Sequence, residues 1–440
     1  MNNEQERRGD ARRGDARRSD ARRSDARRHV VVVGAGIVGV STAIELLRAG
    51  LEVTLIDRGE PGEGTSFGNG GVLAACAVVP VTVPGLLKKA PKMLFSADQP
   101  LFLKWSYLPR LLPWLRQYLK HANAADARRI AAAMNPIIGD SLADHQALAR
   151  GTRAERWLRP SDYVFLYRDR AAFEADHFAW DIRRAEGFRW REIEGDAVAE
   201  YDPHISPDIR FLVALPDHGH ITDPGQYVKD LAAHAVEQGA RWLQGTVSDV
   251  VRENSQTVGV RVDGETVAAD DVVLATGAWS RSLTDTLGIS IPLESERGYH
   301  LELVEPSFMP SVPCMVASGK FVMTPMDGRL RLAGVVEFGG LNAPPSREPI
   351  ELLKRQALEA LPGITWRETR EWLGHRPAPT DSIPLIGALD HVPGTWLGFG
   401  HQHVGLTGGP KTGRLLAQLI SGNTPNIDMS PYAPARFATR

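Results

Sequence analysis

Disulfides, membrane-spanning runs and a dominant charge are what this sequence lacks. Two cysteines in 440 residues, Cys76 and Cys314, exclude a disulfide framework, and they share no metal-ligand spacing. No apolar run reaches the roughly 18 residues of an ordinary transmembrane helix. A formal net charge of -2 argues against a surface committed as a whole to nucleic acid. What is present is 43% hydrophobic and 24% charged residues, enough for a sizeable globular core, and the length suggests two domains.

The charge is uneven. Residues 1–28 repeat Arg-Arg-(Gly/Ser)-Asp-Ala, with pairs beginning at Arg7, Arg12, Arg17, Arg22 and Arg27. A five-residue period fits neither helix nor strand, and no large apolar side chain is available to bury. The segment reads as a disordered tail. Two sharper readings are an arm for nucleic acid or anionic membrane and an imitation of a twin-arginine signal. Asp between the pairs dilutes the first, and the apolar run after Arg28 is itself a structural motif, which weakens the second.

That run opens a Rossmann-type unit. Val30 to Val33 form a buried strand, followed by Gly34, Gly36 and Gly39 in G-x-G-x-x-G spacing. A helical pattern then runs to Gly50, and a second strand from Val53 to Ile56 ends on Asp57. Gly34 suits the tight turn, Gly36 lets backbone approach a pyrophosphate, and Gly39 lets helix and strand pack closely. The helix N-terminus offers free N–H groups to phosphate, and Asp57 an acceptor to a ribose. An acid at 57 disfavours a 2′-phosphate, which leaves FAD or NAD.

Three later blocks bear on that choice. Gly62 to Leu73 is rich in small residues, Asp271 to Ser280 reads as a buried strand ending in a glycine turn, and Leu397 to Gly413 holds a glycine-rich stretch before a helix expected over 414–420. Together with the first motif these blocks resemble the FAD-dependent amino-acid oxidase and dehydrogenase family, from His29 to about Ile427. That family includes D-amino-acid oxidases, glycine and sarcosine oxidases and bacterial D-amino-acid dehydrogenases. Thr65-Ser66 with Asn69-Gly70-Gly71, Arg297-Gly298-Tyr299-His300, and Gly400-His401 leading to Gly405-Leu406-Thr407 look most like the dehydrogenases.

The resemblance implies an α/β fold: a Rossmann-type FAD-binding domain (29–80, 222–290 and 372–440) and a discontinuous, antiparallel-sheet substrate domain (81–221 and 291–371). It implies FAD contacts from Gly34, Gly36, Ile37, Val38 and Gly39, from Asp57 and Arg58, and from Thr65, Ser66, Asn69, Gly70, Gly71 and Val72. Further contacts are expected from Val247, from Ala275, Thr276, Gly277 and Trp279, and from Gly400, His401, His403, Val404, Gly405, Leu406 and Thr407. The activity implied is oxidation of the Cα–N bond of D-amino acids or related secondary amines. The imine formed is hydrolysed to a 2-oxo acid, and electrons pass to a quinone. An oxygen-using oxidase of glycine, sarcosine, iminodiacetate or D-proline is the alternative.

A substrate carboxylate calls for a forked cation. Gly374-His375-Arg376-Pro377 through Asp381 looks like the family segment whose Arg grips that carboxylate, and Pro377 holds Arg376 in extended backbone. The plain alternative is a surface ion pair between Arg376 and Asp381. Tyr299, on one face of its strand with Arg297, and His300, on the other, are further candidates. His401 and His403 are expected to share a strand-like face; some family members carry Arg at the position of His403, which leaves the second substrate contact open. Cys76 and Cys314 read as buried thiols rather than flavin linkers, and His218 and His220 lack a third ligand, so no metal is expected. Residues 85–121 carry a net charge of +6 among Trp, Phe and Leu. They read either as a helix pair lying in a membrane interface near a quinone or as amphipathic helices packed on the protein. The expected location is the cytoplasm, or the inner face of the plasma membrane. No nucleic-acid partner is expected.

Overall fold

The computed structural model describes residues 27–86 and 100–437. Most of the Arg-rich tail and residues 87–99 of the basic segment lie outside the described residues. The valine run His29–Val33 forms the strand expected, and it is buried because strands flank both edges, helices cover the Val30 and Val32 face, and Val250, Val260 and Leu283 pack on the Val31 and Val33 face. Asp271–Leu274 and Glu52–Asp57 pair with it in parallel. Arg241–Gln244 and Thr395–Phe399 extend the sheet, and Leu385–Ala388 closes one edge antiparallel, making six strands. A three-stranded antiparallel meander, 247–268, stands beside it.

The second body is a ten-stranded sheet assembled from segments between 72 and 379. All its pairings are antiparallel except Cys314–Val316 with Leu158–Tyr167 and Leu101–Leu103 with Arg329–Phe338. The expected α/β architecture, a Rossmann-type unit joined to a discontinuous and largely antiparallel sheet, is therefore present. The strand Glu368–Pro379 runs unbroken in this large sheet, so the boundary expected at 372 falls inside a strand. Helices Ala124–Ile138 and Ser141–Ala149, expected with the substrate domain, share a core with the Rossmann strands through Ile130, Ile137 and Leu148.

Three further expectations need correction. Arg28 belongs to the folded body: its guanidinium donates to Ile420 O at 2.6 Å and to Asp271 Oδ1 at 2.8 Å. Of the segment 85–121, expected as a helix pair, the described part holds the strand Leu101–Leu103 and the α-helix Leu108–Lys120, and residues 87–99, where the other helix would fall, lie outside the described residues. The helix Leu108–Lys120 buries Leu111, Trp114 and Tyr118 against the protein and exposes Arg110, Leu112 and Arg116. No helix among the described residues is long and apolar enough to cross a membrane.

The last helix begins at Gly405, not 414. Its glycines look like a loop in sequence but serve close packing: a Cβ on Gly413 would lie 2.6 Å from Ser41 C in the helix Ile37–Arg48. Pro410 inside it has no N–H for Leu406 O, and His145 Nε2 donates to that carbonyl instead, at 2.9 Å. His145 Nδ1 then accepts from the Tyr227 hydroxyl at 2.8 Å, and burial lowers the imidazole to about 4, so it is neutral. Finally, His401 and His403 do not share a strand face, since Gln402–Val404 is a 3-10 turn.

Candidate active site

A cavity of about 1110 Å³ separates the six-stranded side from the large sheet. On the first side, Gly34 adopts φ +107°, and a Cβ there would stand 2.5 Å from Ala275 O. A Cβ on Gly39 would stand 1.8 Å from Gly34 O, so the helix can start this close to the strand only with glycine. At that helix N-terminus Gly36 has no side chain to cap with, Ile37 N donates to Ser66 Oγ at 2.9 Å, and no acid stands in the first turn, which suits the end to an anion. Asp57 accepts from Ala35 N at 2.7 Å and Gly59 N at 3.1 Å, fixing its carboxylate at the cavity wall.

Of the expected cofactor residues, Gly34, Gly36, Ile37, Val38, Asp57, Arg58, Thr65, Ser66, Asn69, Gly70, Gly71 and Val72 line the cavity. So do Val247, Ala275, Thr276, Gly277, Trp279, His401, His403, Val404, Gly405, Leu406 and Thr407. Gly39 and Gly400 stand behind the wall, the first in packing and the second in a turn at φ +90°. The Arg58 guanidinium lies over the Trp279 ring at 4.2 Å, joining two of these segments. A second helix N-terminus, at Gly405, opens on the same space. Two helix ends, a glycine turn and a carboxylate at the strand end together fit a dinucleotide of FAD's size and charge.

The 65–71 loop is held from the large sheet by a residue that sequence reading missed. Arg331 Nη1 donates to Phe67 O at 3.0 Å and Asn69 O at 2.8 Å, while its Nη2 meets Glu302 at 2.6 Å. Burial raises the Glu302 carboxyl, but Arg331 and Arg329 beside it outweigh burial and leave it below the ordinary range.

The large sheet supplies the opposite wall. Arg376 stands directly across from Glu296 in the register of strands Glu368–Pro379 and Leu293–Val304. Its guanidinium lies over Gly298, where a Cβ would be 2.5 Å from Cζ, and Nη1 donates to Val335 O at 3.2 Å. It makes no ion pair with an acid among the described residues, and Asp381 is engaged by Arg436 at 2.7 Å. The surface-pair alternative therefore fails. His403 joins Arg376 at the cavity, its side chain exposed to that space; the protein enclosing it, then the nearby guanidinium, lowers its imidazole to about 4.

The polar ends of Tyr299 and His300 are not brought into this group. Tyr299 borders the cavity, but its hydroxyl is turned to the protein, donating to Glu337 at 2.8 Å and accepting from Ser346 N at 2.9 Å on the face of its strand shared with Arg297. His300 Nδ1 donates to Gly68 O at 2.9 Å and its ring stacks on Trp372, so the residue positions the 65–71 loop behind the cavity wall. Glu296 and Tyr118, both lining the cavity, were missed. The available signal was a strand otherwise fit for burial that carries Glu294, Glu296 and Glu302.

Both thiols are buried and free. Burial pushes Cys314 well above the ordinary thiol range. It also raises Cys76, but His218 and Arg183 outweigh it and leave that thiol below its usual value. No group of three His, Cys, Asp or Glu arranged to hold a metal is found among the described residues.

Comparison with known proteins places this geometry in context. The FAD dependent oxidoreductase (DAO) family matches residues 29–419. A D-amino-acid oxidase of Bradyrhizobium diazoefficiens is 37% identical over 416 residues, 93% of this chain and 99% of that protein. A D-amino acid dehydrogenase of Rhizobium rhizogenes is 30% identical over 421 residues, covering 93% and 99%. Among solved structures, glycine oxidase of Geobacillus kaustophilus superposes with a TM-score of 0.71 at 21% identity, covering 93% of this chain and 100% of that one.

Proposed function

Because the chain belongs to the FAD dependent oxidoreductase family, we propose that it oxidises the Cα–N bond of D-amino acids or closely related secondary amines. The glycine turn at 34–39, the 65–72 loop and the 400–407 turn would hold FAD, and the six-stranded side would form the cofactor domain. Bound FAD supplies the two-electron acceptor at the cavity. The rest of the task falls to the protein's own side chains.

One observation carries the substrate assignment: the Arg376 guanidinium faces the cavity over Gly298 with no acid bound to it. A fixed fork of N–H donors suits a carboxylate, and rigid strand register on both sides holds it in place. His403, neutral beside it, adds a polar contact without a second charge. After loss of a hydride, two electrons and one proton, the neutral amine is an iminium, which water hydrolyses to a 2-oxo acid and ammonium.

The names of the relatives support D-amino acids as the substrate class. For the electron acceptor we infer a quinone, reached from a membrane surface by the exposed cationic face of Leu108–Lys120. The 37%-identical relative named an oxidase supports a second reading, direct use of oxygen. The test is to follow flavin absorbance anaerobically with D-amino acids, their L-enantiomers and N-substituted glycines, then admit air. Bleaching by a D-amino acid is expected; a flavin that no amine bleaches overturns the substrate class. Rapid peroxide formation on admitting air overturns the quinone.

A further inference from the structure

Glu296 is buried, 5% exposed, lines the cavity, and has no hydrogen-bond partner or ion pair among the described residues. It stands opposite Arg376 in a register that brings directly paired side chains to the same face of the sheet. The two nonetheless form no ion pair, because the guanidinium is drawn over Gly298 to Val335 O. Beside them the Tyr118 hydroxyl is buried, on a residue 4% exposed that also lines the cavity; it makes no well-aligned hydrogen bond, and the Ser382 hydroxyl beside it accepts from Gln402 Nε2 at 3.0 Å. A cation, an acid and a hydroxyl thus face one space without satisfying one another. Buried polar groups left this way are costly unless a ligand completes them.

The missing ligand must present an anion to Arg376 and a cationic donor to Glu296 a few ångströms away. An amino acid does this on a single carbon. Building on the function proposed above, we propose that Glu296 receives the substrate's ammonium group and takes one of its protons. The N–H bond breaks, its electron pair stays on nitrogen as the lone pair of the neutral amine, and the proton forms an O–H bond on the Glu296 carboxylate. The carboxyl then holds that proton until product leaves and returns it to solvent. Tyr118 donates to the Glu296 carboxylate or to the substrate carboxylate as the charge shifts between them.

The electrostatics around the acid agree with this role. Burial raises the Glu296 carboxyl, Arg376 on the facing strand opposes that, and Glu294 two residues before it adds to it, so the group sits at about 7. Tyr118 from the helix Leu108–Lys120 stays protonated, because burial and then Glu296 push its phenol well above the ordinary range. His403, beyond Arg376 on the C-terminal turn, is neutral. Glu294 is itself raised by burial and is engaged by Ser295 N and the Tyr107 hydroxyl, so it does not compete for the substrate. A base is active when deprotonated, so kcat/KM should rise with pH through about 7.

The test uses FAD-loaded wild type, Glu296→Gln and Glu296→Asp, each checked for flavin content. With a reducing D-amino acid, E296Q should lose about 10²-fold in kcat/KM at neutral pH. Its remaining activity should rise only where the substrate's ammonium loses its proton unaided. E296D should restore the limb near neutrality. A second readout needs no turnover: protection against thermal unfolding by propionate, which is alanine without its amine. Propionate should protect wild type less as pH rises through about 7, because an ionised Glu296 repels it, whereas protection of E296Q should not change with pH. Turnover in E296Q with the wild-type profile, or propionate protection with the same pH dependence in both proteins, overturns the proposal. If no amino acid reduces the flavin, the substrate assignment fails, and the propionate arm still decides whether Glu296 and Arg376 share one anion site.

Discussion

On the six-stranded side the cavity surface is mainly glycine, backbone amide and two helix N-termini, with His403 on the turn after its strand Thr395–Phe399, while on the large-sheet side it is Arg376 and Glu296, joined by Tyr118 from the helix Leu108–Lys120. The first surface recognises a ligand through the path of its backbone and tolerates almost no added atoms. The second recognises through side chains set by cross-strand register and keeps room around them. A group common to a whole family can be held by backbone alone, whereas a substrate that differs between relatives is met by side chains. The contrast predicts that substitutions on the first side remove the cofactor, and that those on the second leave it bound and change the substrate.

Gly39→Val is expected to have the largest effect. A Cβ 1.8 Å from Gly34 O cannot be accommodated without moving the helix off the strand, and overpacking against backbone costs about 1–3 kcal/mol or more. The variant should purify without flavin and unfold at lower temperature, as read by absorbance and thermal melting. Full flavin content with an unchanged melt would mean that this helix–strand contact does not shape the cradle. Arg376→Ala comes next. It should keep its flavin and lose about 10²–10³-fold in kcat/KM for a carboxylate substrate, the range for removing one partner of a buried charge-assisted pair. Unchanged turnover would remove Arg376 from the substrate site and the comparison with it.

The same contrast explains what could be read from the sequence. The Gly34–Asp57 unit was legible because every part lies within one short segment, where spacing carries the geometry. The 65–71 loop was legible as a contact surface but not in what holds it, since Arg331 and Glu302 come from strands far along the chain. The helix Gly405–Ile420 was misjudged because glycines that pack against Ser41 and Thr42 look, in isolation, like a loop. On the opposite wall Arg376 was legible through its Gly-His-Arg-Pro setting. Glu296 was not, because its meaning depends on standing across from Arg376, and nothing local encodes a register between segments so far apart. Tyr299 and His300 misled for the converse reason: a strand does alternate its side chains, but both residues are committed to the protein's own hydrogen bonds.

Gly298→Ala is expected to have the smallest effect and to probe the comparison most finely, because it places a backbone-type constraint on the side-chain wall. Its Cβ would stand 2.5 Å from Arg376 Cζ, yet the atom it meets is the end of a long side chain, not backbone. The guanidinium can therefore move aside, and the fold and flavin content should be unchanged. What should change is the carboxylate grip: about a tenfold loss in kcat/KM, mainly through KM, since a displaced fork loses part of its paired hydrogen bonding. In an Arg376→Ala background the same alanine has nothing left to displace, so the two substitutions should be strongly non-additive. If their effects simply add, Gly298 acts on the cavity through something other than Arg376, and the wall is less a set of free side chains than its geometry indicates.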